Sequence, residues 1–146
     1  MENTKQFATF YISDRLYGID VMQVQEVTQT LSLTPIRMAP PFVRGLINLR
    51  GQIATAIGMR ELFGLADEKN NAAQASVVCK VNGGLISLLV DRIGDVIEVS
   101  EDSFESTPDL IEEDIRKIMR GVYKTDGEIL SVIDTQYLST TLNLLD

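Results

Sequence analysis

Five acidic side chains, one cysteine and one arginine are the candidates for chemistry in this sequence. Asp91 and Asp95 frame Ile93, while Glu112, Glu113 and Asp114 form a run. Paired carboxylates can serve general acid–base catalysis or hold magnesium. Their surroundings favour neither use, because the chain carries no phosphate-binding loop, no glycine-rich dinucleotide turn and no histidine. Without histidine there is no Ser–His or Cys–His nucleophile pair and no histidine-ligated metal. These acids therefore read as a solvated acidic face. Cys79 lies in the apolar, strand-like run 76–81, where a thiol packs and stays inert. A single cysteine also excludes an internal disulfide and fits a reducing compartment. The expectation is a protein with no catalytic residues, no cofactor and no metal.

Arg50 is the more informative charge. It sits in Gly45-Leu46-Ile47-Asn48-Leu49-Arg50-Gly51, followed by Gln52-Ile53-Ala54-Thr55-Ala56-Ile57. Apolar residues broken by two glycines read as two strands joined at a corner. At that corner a guanidinium can leave the sheet and point at a carboxylate, on a partner or on a facing part of the fold. The plainer alternative is a hairpin with an arginine resting on its surface.

The elements that position these groups are mostly strands. Residues 7–12 and 16–20 are set at hairpin distance around Ser13-Asp14. Val21, Val24 and Val27 fall on one stripe, as one helical turn or an irregular strand edge. Residues 33–38 contain Pro35 and belong at an edge. Residues 60–64 read as a helical turn closed by Gly64, and 66–75 as a mobile loop. Residues 77–81 and 85–90 flank Asn82-Gly83-Gly84, a hairpin signal. Residues 96–99 make another short strand, followed by an acidic loop, 100–105. Residues 122–124 and 129–133 pair across Thr125-Asp126-Gly127. A helical turn is expected over 109–115 with strand from 117, and a brief helix after Asp134. About ten short strands with tight turns indicate a barrel or sandwich.

At 146 residues and 45% hydrophobic, the chain can bury one compact core. A net charge of −8 argues against nucleic acid and against adsorption to anionic lipid. The first six residues lack the apolar centre of a signal peptide, and no apolar run approaches the length of a spanning helix. A cytoplasmic protein without membrane insertion is expected.

Four blocks together resemble one known family, the bacterial chemotaxis coupling proteins with CheW-like domains. Residues 17–27 (YGIDVMQVQEV) resemble its first signature, 45–51 (GLINLRG) its second and 88–96 (LLVDRIGDV) its third. Gly121-Val122, Asp126-Gly127-Glu128-Ile129-Leu130 and Ile133-Asp134 resemble its closing hairpin. The blocks stand in family order and span nearly the whole chain.

That resemblance implies a mainly β CheW-like fold, with two small five-stranded SH3-like barrels, a hydrophobic groove between them and a few short helical turns. Residues 1–146 then form one domain. It implies a non-catalytic adaptor coupling the cytoplasmic tips of methyl-accepting chemoreceptors to the chemotaxis histidine kinase CheA, in the cytoplasm and recruited to receptor arrays. By position in the family pattern, Val21 and Val24 match the edge that meets the kinase's regulatory domain. Glu26, Gly45, Leu46, Asn48, Arg50, Leu88, Val90 and Val96 match receptor-contact and groove positions. For Leu46, Leu88 and Val90, ordinary core packing is an equal reading. The chain departs from the pattern at Ala54-Thr55, where the family has Val-Pro, and at Gly58, where it has an acid that can partner an arginine. Alternatives are a coupling protein of a chemotaxis-like pathway, such as pilus control, or a small ligand-binding barrel or enzyme.

Overall fold

The structure, a computed structural model, describes residues 3–29, 32–65, 75–108 and 113–141. Eleven strands among them form two sheets. The six-stranded sheet contains β1 (Thr4–Ile12), β2 (Arg15–Asp20), β8 (Arg92–Ser100), β9 (Phe104–Glu105), β10 (Met119–Thr125) and β11 (Glu128–Ile133), in the order β8-β1-β2-β11-β10-β9. The five-stranded sheet contains β3 (Val24–Thr28), β4 (Val43–Leu49), β5 (Gln52–Gly58), β6 (Ala75–Val81) and β7 (Gly84–Val90), in the order β3-β6-β7-β5-β4. Among the described residues, helix is confined to α1 (Met59–Leu62), α2 (Glu113–Arg116), α3 (Thr135–Thr141) and two 3-10 turns, Val21–Gln23 and Glu101–Ser103. No helix among the described residues is long and apolar enough to cross a membrane.

Tight turns set the register of the hairpins. Asn82-Gly83 (φ 52° and 79°) and Arg50-Gly51 (φ 52° and 91°) take the left-handed conformation at both central positions, which matches the twist of the flanking strands. The chain crosses between the sheets at 20–24 and 90–92. Two parallel pairings, β2 with β11 and β5 with β7, tie together segments that are distant in sequence.

Alternation along the strands divides the core into three parts. Phe10, Ile12, Tyr17 and Ile19 of one sheet pack with Ile57, Val77, Leu88 and Val90 of the other in a shared central cluster. On its other face the six-stranded sheet holds Phe7, Leu16, Tyr123, Leu130 and Val132. The five-stranded sheet likewise holds Ile47, Ala56 and Leu89. Burial on both faces explains why β6 and β7 read as almost unbroken apolar runs. Ser76 and Ser87 are fully buried there and satisfy each other by a hydroxyl–hydroxyl hydrogen bond.

Several expected boundaries shift. The 21–27 stripe is both a helical turn and a strand, in succession. Residues 33–38 are not a strand: Thr34 alone bridges to Leu46, and the next residue, Pro35, has no N–H with which to extend the ladder. Within the expected loop 66–75, Ala75 already opens β6, and 66–74 lie outside the described residues. The helical turn covers Glu113–Arg116 and the strand begins at Met119 rather than 117, while 109–112 lie outside the described residues. The sheets have six and five strands rather than five each, the extra one being the two-residue β9.

Candidate functional site

The β4–β5 turn and the edge strand β3 make the centre of the site. Asn48 Oδ1 accepts the Gly51 N–H at 3.0 Å, which closes the turn and aims Arg50 outward. Arg50 Nη2 then pairs with Glu26 Oε1, and Gln25 Nε2 donates to Gln52 Oε1 at 3.1 Å. These two side-chain ties lace β3 to the hairpin, so the edges of the five-stranded sheet meet through side chains instead of a backbone ladder. Arg50 thus finds its carboxylate in its own sheet, which corrects the expected reach to a partner or a facing barrel. Its side chain stays 79% exposed, leaving other guanidinium donors open to solvent.

The predicted kinase edge lies alongside. Asp20 caps the 3-10 turn by accepting the Met22 N–H at 2.9 Å on Oδ1. Val21 and Val24 are both half-buried, and Val24 packs against the shared core. More of the apolar surface is presented by Met22, 88% exposed, and Val27, 44%, in the same segment, and by Ile53, 61%, next to Gln52 on the hairpin tied to β3. Met22 and Ile53 escaped sequence reasoning. Met22 falls off the 21-24-27 stripe, and Ile53 looked like any strand residue, although its cross-strand partner is the exposed Asn48.

The remaining predicted positions separate. Gly45 is buried at φ 143°, with the Thr34 carbonyl directly over its Cα, and Leu46 exchanges two 2.8 Å backbone hydrogen bonds with Thr34. Leu46 is half-buried. Leu88 and Val90 expose 0% and 1% of their surface inside the shared cluster. Of their two readings the structure takes core packing, and their expected place on an open groove is corrected, because β7 is central in its sheet and covered on both faces. Val96 is 59% exposed but lies on β8, the far edge of the other sheet, apart from the Glu26–Arg50 group. Two clefts on the six-stranded sheet, of about 340 Å³ and 510 Å³, contain none of the predicted residues.

Two arginine clamps complete the picture. Arg60 on α1 donates from Nε to Asp91 Oδ1 at 2.8 Å and from Nη2 to Oδ2 at 2.8 Å, and the Ser13 N–H adds a third bond at 2.7 Å. Asp91 is thus no part of a solvated face. It stands where the chain leaves the five-stranded sheet and grips the β1–β2 turn of the other. Burial pushes its carboxyl up, but the Arg60 and Ser13 hydrogen bonds and the charges of Arg60 and Arg92 outweigh this and hold it below the ordinary carboxylate range. Asp95 remains exposed, its backbone carbonyl accepting the Thr9 hydroxyl. Asp114's side chain and Glu112 lie outside the described residues. The second clamp answers the missing acid at 58. Arg44 Nη1 pairs with Glu61 Oε1 at 2.6 Å, and Glu61's carboxylate occupies the space a Cβ at Gly58 would take. Burial pushes the Cys79 thiol up to about 12, so it is no nucleophile at neutral pH.

The sequence and the overall fold have counterparts among known proteins. The CheW-like domain family matches residues 6–142. The chemotaxis protein CheW of Treponema pallidum (strain Nichols) is 30% identical over 143 residues, covering 95% of this chain and 84% of that one. The chemotaxis protein CheW of Bacillus subtilis (strain 168) is 25% identical over 130 residues, covering 89% and 83%. The crystal structure of the scaffolding protein TtCheW from Thermoanaerobacter tengcongensis superposes with a TM-score of 0.84 at 30% identity, covering 94% of this chain and 92% of that one. With its two sheets, shared core and laced β3 seam, this chain belongs to the CheW-like domain family.

Proposed function

We propose that this chain is a non-catalytic adaptor that joins the cytoplasmic tips of methyl-accepting chemoreceptors to the histidine kinase CheA, working in the cytoplasm at receptor arrays. Membership of the family makes it a chemotaxis coupling protein; the finer reading concerns which surface takes which partner. The observation that carries it is that Met22 and Val27, just before and on β3, and Ile53, on the hairpin tied to β3 through Gln25 and Gln52, are exposed apolar side chains, and that β3 pairs its backbone on one side only. An adaptor must hold two partners at once, and exposed apolar side chains beside an open edge suit association with a folded domain. We assign this edge, with Val21 and Val24, to the kinase's regulatory domain. The flank carrying Glu26, Gly45, Leu46, Asn48 and Arg50 is assigned to the receptor. Val96 is a candidate for a separate contact from the other sheet.

The absence of histidine, the elevated Cys79 thiol and the commitment of Asp91 to Arg60 leave little with which to catalyse a reaction. The test is reconstitution of receptor fragments and CheA with and without this protein. Receptor-dependent kinase activation is expected only when it is present, with no turnover of ATP or phosphopeptide by the protein alone. Turnover by the isolated chain, or kinase control that does not depend on it, would overturn the assignment.

A further inference from the structure

Arg37 and Met38, adjacent in a turn that precedes β4, stand out in two independent ways. The first concerns charge. Between residues 27 and 60 the chain has four arginines and no acid, although the whole carries −8. Arg44 is paired with Glu61, Arg50 with Glu26 and Arg60 with Asp91. Arg37 has no carboxylate partner among the described residues, and it is exposed.

The second concerns backbone conformation. Among the described residues, four that are not glycine have positive φ: Ser13, Met38, Arg50 and Asn82. A left-handed residue with a Cβ is unfavourable, and least so for asparagine. Ser13 donates its N–H to Asp91, while Arg50 and Asn82 each precede glycine in a hairpin turn. Met38, at φ 62°, is a long apolar side chain that is 102% exposed, so it buries nothing in this molecule. The base beneath it is firm: Ile36, Ala39 and Phe42 pack on the shared core, and Pro35, Pro40 and Pro41 restrict the backbone.

We propose that Arg37 and Met38 form a receptor-contacting tip, with Met38 as an apolar anchor and Arg37 as the cation that meets a carboxylate at the rim of its socket. This rests on the receptor assignment above. Thr34 ties the tip's base to Leu46 and lies over Gly45, so the tip continues the flank given to the receptor and not the β3 edge given to the kinase. The occupant is accordingly the helical hairpin tip of a chemoreceptor, and the chemistry of Met38 and Arg37 requires of it an apolar hollow with a carboxylate at its rim.

The test measures binding of a soluble chemoreceptor-tip fragment and of a CheA regulatory-domain fragment to the full chain, alongside its melting temperature. Met38→Asn should raise the melting temperature by about 2 °C, because asparagine tolerates the left-handed backbone. It should also weaken receptor-fragment binding about fivefold or more. Met38→Leu should stay within about twofold of the parent, and Arg37→Glu should weaken binding most at low salt. A merely structural role predicts the opposite pairing, in which stability and affinity move together. The proposal is overturned if Met38→Asn and Arg37→Glu bind the receptor fragment like a parent that binds it. It is equally overturned if their losses appear with the kinase fragment or in self-association instead. Should the parent itself ignore the receptor fragment, the receptor assignment fails and this inference fails with it.

Discussion

Replacing Asp91 by asparagine tests how the two sheets are held together. The substitution keeps the shape and leaves an acceptor for the Ser13 N–H, but it removes the charge that Arg60 grips with two donors at 2.8 Å. Side chains of the pair are only 12% and 16% exposed, so little water replaces the lost contact. A charge-assisted hydrogen bond contributes about 1.5–3 kcal/mol, and stranding one member of a fully buried pair costs about 3–5 kcal/mol. Partial exposure puts Asp91→Asn at about 2–3 kcal/mol, or about 5–10 °C in melting temperature for a domain of this size. The pH dependence supplies the sharper signature. Asp91's carboxyl lies below its ordinary value in the folded state, so the folded protein binds fewer protons there than the unfolded chain. Its stabilisation is therefore complete above the ordinary value of about 4, begins to fade there, and is lost only as pH falls on through the lower folded-state value. Urea titrations of parent and variant should differ by a constant amount from about pH 5 upward, begin to approach each other near about pH 4, and converge only at more acid pH, below Asp91's depressed folded-state value. A gap that persists unchanged into acid would refute the clamp as the source of the difference.

Three further outcomes follow from the site. Gly58→Ala should cost about 1–2 kcal/mol, because its Cβ displaces the Glu61 carboxylate from Arg44, and most of that cost should vanish in a Glu61→Ala background; additive losses in thermal melts would count against it. Arg50→Ala should change stability by less than about 1 kcal/mol, since the Arg50 side chain is 79% exposed and water can replace it beside Glu26, while kinase activation in reconstituted complexes drops and Arg50→Lys fails comparably; full activation by both would make Arg50 a surface residue only. Val24→Asp should destabilise by about 2 kcal/mol or more because it meets the shared core, whereas Val21→Asp should keep its melting temperature and lose kinase-fragment binding. Equal melting losses in the two aspartate variants would place both valines in the core.

Local chemistry was legible in the sequence wherever a turn dictated it. Asn82-Gly83, Arg50-Gly51 and Asp126-Gly127 announce their hairpins because glycine relieves a left-handed backbone, and Gly64 ends the turn after α1 in the same way. What the sequence hid was long-range. Neither Arg60 nor Asp91 carries a mark of the other, since the chain builds β6 and β7 between them before returning. Parallel pairing of β2 with β11 leaves no local trace either. Leu88 and Val90 illustrate the limit at the site: an apolar run fits a groove wall as well as a central strand, and only the sheet order decides. Met38 is the converse case, an apolar residue whose full exposure no pattern of neighbours reveals.

The topology also fixes an order of events on the ribosome. The five-stranded sheet uses residues 24–90 without interruption, so all its strands are available once residue 90 has emerged. Leu16, Tyr17 and Gly18 of β2, made among the first, pair with Leu130, Ser131 and Val132, made among the last. Until then β2 is an open edge, able to join the wrong strand. The face of the five-stranded sheet that carries Val77, Leu88 and Val90 meanwhile lacks the full cover of its partner sheet. A chain halted before residue 128 therefore carries an open β2 edge and a core that still lacks Ile133 and Leu138, and is a natural client for a chaperone that binds apolar strands.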